Sequence, residues 1–215
     1  MSVRNEPTNI GRRNFLCGLA IGGASGIAIG VLRNQLAANS PEKNMNDERQ
    51  APADNTALDH EHFMRLAIEQ ARNVPHLPFG SVIVDTRSGE VLAEGFNRSA
   101  DSPTFHGEMD VINRLAAKGP REDWSPLALY TTAEPCPMCQ GAIEWAGIGL
   151  VVYGTSIATL QELDWWQIDI RADEVIRRTP FRQTRLLAGV LENECDALFR
   201  AVPRGKFRKQ ADDKR

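Results

Sequence analysis

The chain has 215 residues, 42% hydrophobic and 25% charged, enough apolar material for one ordinary globular core of about 150 residues plus extensions. Net charge is −3, and residues 1–40 hold Arg4, Arg12, Arg13 and Arg33 against Glu6, so the remainder stands at −6 and offers a polyanion no general attraction. Four cysteines are too few for a disulfide-stapled scaffold, and the close pair Cys136 and Cys139 points to metal or redox work instead.

The first segment, Gly11-Arg12-Arg13-Asn14-Phe15-Leu16, leads into an apolar, glycine-laden run ending at Leu32, the parts of an export signal. The run is about 18 residues, the lower limit for crossing a bilayer. It resembles a twin-arginine leader, whose pattern is Ser/Thr-Arg-Arg-x-Phe-Leu-Lys. Gly11 and Cys17 depart from that pattern at its ends, while the Arg-Arg-x-Phe-Leu heart is intact. The resemblance implies passage through the twin-arginine export machinery to a periplasmic or other extracytoplasmic space. Leu36-Ala37-Ala38 is the nearest thing to a cleavage site, and an uncleaved leader would tether the protein to the membrane. The chain is thus expected to divide into a leader or anchor (1–38), a disordered linker (39–58), a folded domain (59–201) and a basic, flexible tail (202–215).

Within the folded part, Phe63, Leu66, Ala67 and Ala71 mark one face of a first helix. Residues 80–84 read as a strand, 86–89 as a turn and 90–97 as a second strand. A helix is expected from His106 to Lys118, with Val111, Ile112, Leu115 and Ala116 at helical spacing. A third strand over 127–131 has no polar face, so both its sides are expected to be covered. Pro135 and Pro137 begin another helix running through Ala146, proline being well suited to a first turn. Strands at 150–153 and around Leu186-Leu187, then a helix from Val190 to Arg200, complete the pattern. A hairpin followed by helix–strand alternation predicts a three-layer α/β/α domain with a mixed sheet of about five strands. Trp145 is expected in the core, and Cys195 as a buried thiol of the last helix.

The chemistry concentrates in His106-Gly107-Glu108 and, about thirty residues on, Pro135-Cys136-Pro137-Met138-Cys139. Singly, the histidine suits a helix start and Cys-x-x-Cys a thiol redox pair. Together, opening two helices at one edge of a sheet, they supply three ligands of the types zinc prefers. A structural zinc site would usually show a fourth ligand, and none lies nearby in sequence. One Zn2+ per chain with an open position is therefore expected, near neutral because two thiolates offset its charge. Glu108, two residues from a ligand, is placed to carry protons without ligating the metal.

These residues resemble the cytidine/deoxycytidylate deaminase superfamily, in its branch of cytosine, guanine and tRNA adenosine deaminases. The resemblance runs over nearly all of 60–201 and includes Pro78-Phe79-Gly80, Gly95-Phe96-Asn97, Asp101-Ser102-Pro103-Thr104 and Val190-Leu191-Glu192-Asn193-Glu194-Cys195. It implies zinc-dependent hydrolytic deamination of a nucleobase or nucleoside, guanine or cytosine type favoured, and a homodimer or larger oligomer. Asn97 matches the asparagine that holds the base or sugar. Phe79 and Phe105 are candidate pocket walls, and Asp164-Trp165-Trp166 falls where a lid caps the site, with Asp164 a candidate proton carrier. Gly107 stands where the family commonly has alanine, leaving room for substrate. Two other readings stand beside this one. A tRNA adenosine deaminase is suggested by Arg204, Lys206, Arg208 and Lys209, although an exported enzyme would not meet tRNA. A non-catalytic zinc-binding protein would have no need of Glu108.

Overall fold

The short turn after residue 85, with Gly89 at φ 72°, permits only an antiparallel return, whereas connections that pass through a helix bring the next strand back parallel. The result is a five-stranded sheet, β1 (Gly80–Asp85), β2 (Val91–Phe96), β3 (Leu127–Ala133), β4 (Leu150–Thr155) and β5 (Arg185–Leu187), in the order β2-β1-β3-β4-β5. β1 runs antiparallel to both β2 and β3, and β3, β4 and β5 are mutually parallel. The computed structural model describes residues 58–181 and 183–203. The expected leader, residues 39–57 of the expected linker and the tail from 204 on lie outside the described residues. Leu58 and Val202, at the two margins, both pack against the core.

Strands β1, β3 and β4 are buried along their whole length, because helices cover both faces. The alternation of side chains sorts their apolar residues into two layers. Val82, Val84, Ala128, Tyr130, Leu150 and Val152 meet α1 (His60–Ala71) and Cys195 of α6 (Glu192–Arg200). Ile83, Leu127, Leu129 and Val151 meet α2 (Gly107–Ala116) and α3 (Pro137–Ala146) through Val111, Leu115 and Ile143. α1 buries Met64 and Ile68 in addition to Phe63, Ala67 and Ala71, a wider stripe than the sequence pattern suggested. Packing is close enough to demand glycine. A Cβ on Gly80 would lie 2.1 Å from the Ala67 carbonyl oxygen of α1, and one on Gly95 2.7 Å from the Val111 nitrogen of α2.

Three local readings are corrected. The last helix starts at Glu192, because Leu191 sits at φ 51° and cannot continue a right-handed turn. Trp145 is not in the core: α3 turns Cys139, Gln140, Ile143 and Glu144 inward, and the indole is 78% exposed against the Phe181 ring, 4.5 Å between centroids. Two short helices, α4 (Ile157–Glu162) and α5 (Ala172–Arg178), follow β4 where no element was expected. Among the described residues, no helix is long and apolar enough to cross a membrane.

Candidate metal centre

α2 and α3 begin alike. Their N-cap residues, His106 (φ −66°, ψ 165°) and Cys136 (φ −62°, ψ 164°), share an extended backbone, and neither side chain caps its own helix. Proline at the first position of α3 fixes the start of the helix. Both side chains are therefore available to each other, and the first turn of α3 adds Cys139. Cys136 Sγ lies 3.6 Å from His106 Nδ1 and 3.6 Å from Cys139 Sγ, and Cys139 Sγ lies 3.7 Å from His106 Nδ1. Zinc bonds of about 2.3 Å to sulfur and about 2.0–2.1 Å to nitrogen, at tetrahedral angles, would separate sulfurs by about 3.8 Å and sulfur from nitrogen by about 3.6 Å. The three atoms thus fit one face of a zinc tetrahedron, and they are the only group of metal-ligating type so gathered among the described residues.

Electrostatics favour the cluster as a ligand set. The hydrogen bond with Cys139 holds the Cys136 thiol down to about 4 against its own burial, with His106 assisting. Its position at a helix N-terminus favours the thiolate further. Cys139 keeps its proton well above the usual thiol range, because Cys136 beside it carries the charge and because it is buried. His106 is raised by its hydrogen bond to Cys136. Glu108 lies within hydrogen-bond reach of Cys139, and burial pushes its carboxyl up to about 7, with the charge on Cys136 adding to the effect.

In front of these groups is a cavity of about 160 Å³ lined by residues that include Leu77, Phe79, Asn97, His106, Glu108 and Cys136. A wider depression of about 640 Å³, bounded by Arg87, Lys118 and Arg121 among others, lies where α2 ends and β3 begins, away from any ligand cluster. We assign the chemistry to the smaller cavity, since it alone contains convergent ligand-type groups. Asn97 combines both roles open to it. Its N–H donates to the Phe79 carbonyl at 2.8 Å and extends the β1–β2 ladder, while Oδ1 accepts from Ser99 N–H at 3.0 Å and from Ser99 Oγ at 2.7 Å. A backbone N–H can only donate, so the amide oxygen must face Ser99 and Nδ2 is left without a hydrogen-bond partner among the described residues. Phe79 lines the cavity and also packs against Trp165 and Phe199, at 5.5 and 5.0 Å between centroids.

Two expected residues are not among the lining. Phe105 is half-buried beneath the Arg98 guanidinium, 5.9 Å from its ring centroid. Asp164 is exposed at φ 61°, with Trp165, Trp166 and Gln167 lining the cavity after it. Its backbone closes α4: Asp164 N–H donates to Gln161 O at 3.1 Å and Trp165 N–H to Leu160 O at 2.9 Å, the paired bonds of a Schellman ending. Asp164→Gly relieves the left-handed conformation and is expected to hold stability within about 1 kcal/mol and keep turnover. A collapse of turnover at unchanged stability would restore Asp164 to the proton path. Gly107 also has a different reason from the one expected: a Cβ there would lie 2.7 Å from the Phe79 carbonyl oxygen, so the strand entry, not substrate, takes the space.

Sequence reasoning missed Glu134. It is 5% exposed, lines the cavity, and accepts two backbone hydrogen bonds, Oε2 from Ile157 N–H at 2.8 Å and Oε1 from Ala172 N–H at 2.9 Å. A glutamate before proline reads locally as a loop residue, and no pattern in the sequence signals its two distant partners.

Comparison with known proteins agrees with this geometry. Residues 58–155 match the family model for the cytidine and deoxycytidylate deaminase zinc-binding region. A guanine deaminase of Bacillus subtilis is 33% identical over 141 residues, covering 60% of this chain and 88% of the relative. The chain belongs to that deaminase family. A probable cytosine deaminase of Schizosaccharomyces pombe is 37% identical over 105 residues, covering 47% of this chain but only 63% of the relative's length. Among solved structures, one from a study of tRNA:A34 deaminases is 27% identical with a TM-score of 0.53, covering 64% of this chain and 98% of that one. The deaminase family match ends with β4, so α4, the cavity-lining segment after it and α5 lie beyond it.

Proposed function

We propose that this deaminase hydrolyses the amino group of a free nucleobase or small nucleoside, releasing ammonia and leaving a carbonyl. The observation that carries this reading is the convergence, on one small cavity, of a three-ligand zinc face, the buried carboxyl of Glu108 and the Nδ2 donor of Asn97. At about 160 Å³ the cavity is smaller than the roughly 300–1,000 Å³ of drug-sized sites, which suits one flat heterocycle. Guanine and cytosine types remain favoured, because relatives named for both bases are among the similar proteins.

His106, Cys136 and Cys139 would hold the zinc, which when bound supplies the Lewis acidity that makes water nucleophilic near neutral pH. Glu108 takes a proton from the water, passes it to the ring nitrogen beside the amino-bearing carbon, and then moves the second proton to the departing amine. A carboxyl held near 7 is suited to both directions of transfer. Asn97 donates from Nδ2 to an acceptor on the heterocycle and so fixes which edge enters. Phe79 offers an apolar wall, and Trp165, Trp166 and Gln167 restrict water.

Ammonia release by the full chain, zinc-replete, against guanine, cytosine, adenine, their nucleosides and pterins tests the reading; one compound should turn over. A tRNA substrate is the second reading, favoured by the likeness to the tRNA:A34 deaminase structure, and inosine formed in tRNA with no turnover of free bases would select it. We further propose a homodimer, which the exposed Trp145–Phe181 pair supports and sedimentation would check. Export by the twin-arginine route rests on Arg12-Arg13-Asn14-Phe15-Leu16. The double variant Arg12→Lys, Arg13→Lys should then leave the protein in the cytoplasm, and unchanged fractionation would remove the proposal.

A further inference from the structure

Part of the cavity lining is a short segment that follows β4. It leaves β4, forms α4, crosses the cavity as Trp165, Trp166 and Gln167, and re-enters helical structure as α5. Trp165 is seated in an apolar cluster with Ala133, Leu160 and Phe199, and its Nε1–H donates to the Phe199 carbonyl at 3.4 Å. Trp166 is 59% exposed and Ile168 60%, so the middle of the segment has little packing of its own. Beyond the anchor at Trp165, its geometry depends on its two ends.

Both ends converge on one carboxylate. Ile157 and Ala172 are the first residues of α4 and α5, so each has a backbone N–H with no partner inside its own helix. Glu134, itself 5% exposed, accepts both, one with each oxygen, at 2.8 and 2.9 Å. Two helix starts also present positive partial charge to the same carboxylate. Arg171 reinforces the junction by donating from Nη2 to Gln161 Oε1 at 3.3 Å, which ties the start of α5 to the end of α4. Glu134 is itself held by the sheet, its N–H donating to Thr155 O at 2.7 Å, and it stands two residues before Cys136.

We infer that Glu134 is a positioning residue that fastens both ends of the 157–172 segment to the link between β3 and α3, two residues before Cys136, and so sets the wall that Trp165, Trp166 and Gln167 present to substrate. This rests on the deaminase reading for its kinetic consequence and on the hydrogen bonds alone for its structural one. The inference goes beyond metal binding and proton transfer, because it assigns substrate affinity to a carboxylate that takes part in neither.

The test uses the full chain and three variants. Glu134→Gln keeps size but replaces one acceptor oxygen with a donor. Ala172→Pro removes the opposing N–H at a first helical position, where proline is tolerated and Arg171 before it is already extended. The third variant combines the two. Backbone hydrogen exchange, followed by mass spectrometry on the resting protein, should speed up across 157–172 in each variant and stay unchanged in β1, β3 and α2. Zinc content should be unaltered. With the active compound, KM should rise about ten-fold while kcat changes less than about three-fold, as for the loss of one charge-assisted hydrogen bond, and the combined variant should be no worse than the weaker single one. Unchanged exchange over 157–172 would overturn the fastening, as would faster exchange throughout the sheet. Faster exchange confined to the segment with kcat lost and KM constant would overturn the assigned effect on affinity. Exchange is read without any substrate, so an absence of deamination would count against the proposed function and leave the fastening tested in its own right.

Discussion

Glu108→Gln is expected to lower kcat by about 10²- to 10⁴-fold with one zinc still bound per chain. The substitution keeps the volume of a side chain that is 3% exposed and removes only its capacity to take up and give back a proton. The cluster that could hold the metal is His106, Cys136 and Cys139, none of which this change touches, so metal content measured by atomic absorption separates lost chemistry from lost structure. Stability should not fall. Glu108 is a buried carboxyl whose affinity for protons is raised by burial, and a neutral amide avoids the desolvation that raises it. Turnover within ten-fold of the parent at full zinc occupancy would remove Glu108 from the reaction and revive a zinc-binding protein without catalysis.

The second large effect is on the fold. Gly80→Ala should destabilise by about 3 kcal/mol or more, a fall in Tm of roughly 6–12 °C for a domain of this size. The added Cβ would meet the Ala67 carbonyl oxygen at 2.1 Å and the Ala71 nitrogen at 2.4 Å, both backbone atoms of α1 that no rotamer change can move. Relief requires lifting α1 from the sheet. Gly141→Ala is the control, since nothing lies within 4 Å of its added Cβ in α3, and it should stabilise by up to about 1 kcal/mol through helix propensity alone. Equal midpoints for the two variants would show that the contact between α1 and β1 is looser than described. The site would feel the first change as well, because Phe79, adjacent to Gly80, lines the cavity.

What could be read from the sequence followed from how much physical signal each element carries. β3 and β4 announce themselves as apolar runs without a polar face, and both are buried along their whole length. α2 and α3 were legible because a ligand-type residue and helical spacing coincide in each, with an early proline added in α3. The three ligands follow from residue type and spacing, and the structure brings them within 4.8 Å of one another. α4 and α5 were missed because they are 6 and 7 residues long, too short to complete two turns of a hydrophobic pattern. Trp145 misled because size and apolarity say nothing of which way a helix turns a residue. Asp164 carries a signal of another kind as well: an acidic group beside two tryptophans suggests chemistry, and its left-handed backbone, which ends a helix, leaves no mark in the sequence. Glu134 was invisible because its significance lies in partners 23 and 38 residues away.

The order of these parts along the chain bears on how such an enzyme changes its substrate. The candidate ligands His106, Cys136 and Cys139, and Glu108 with them, are all in place by residue 139, and β1, β3 and β4 end by Thr155. The segment that supplies Trp165, Trp166 and Gln167 comes afterwards, an excursion held to the earlier part of the chain by Glu134 at its two ends and by Phe79 and Ala133 against Trp165. The ligand cluster and this part of the pocket wall are therefore written in consecutive stretches of the gene. A replacement of the later stretch has to keep the two backbone N–H groups that Glu134 accepts, at the starts of α4 and α5. Chimeras exchanged between residues 156 and 171 would carry the chemistry unchanged into a differently shaped pocket.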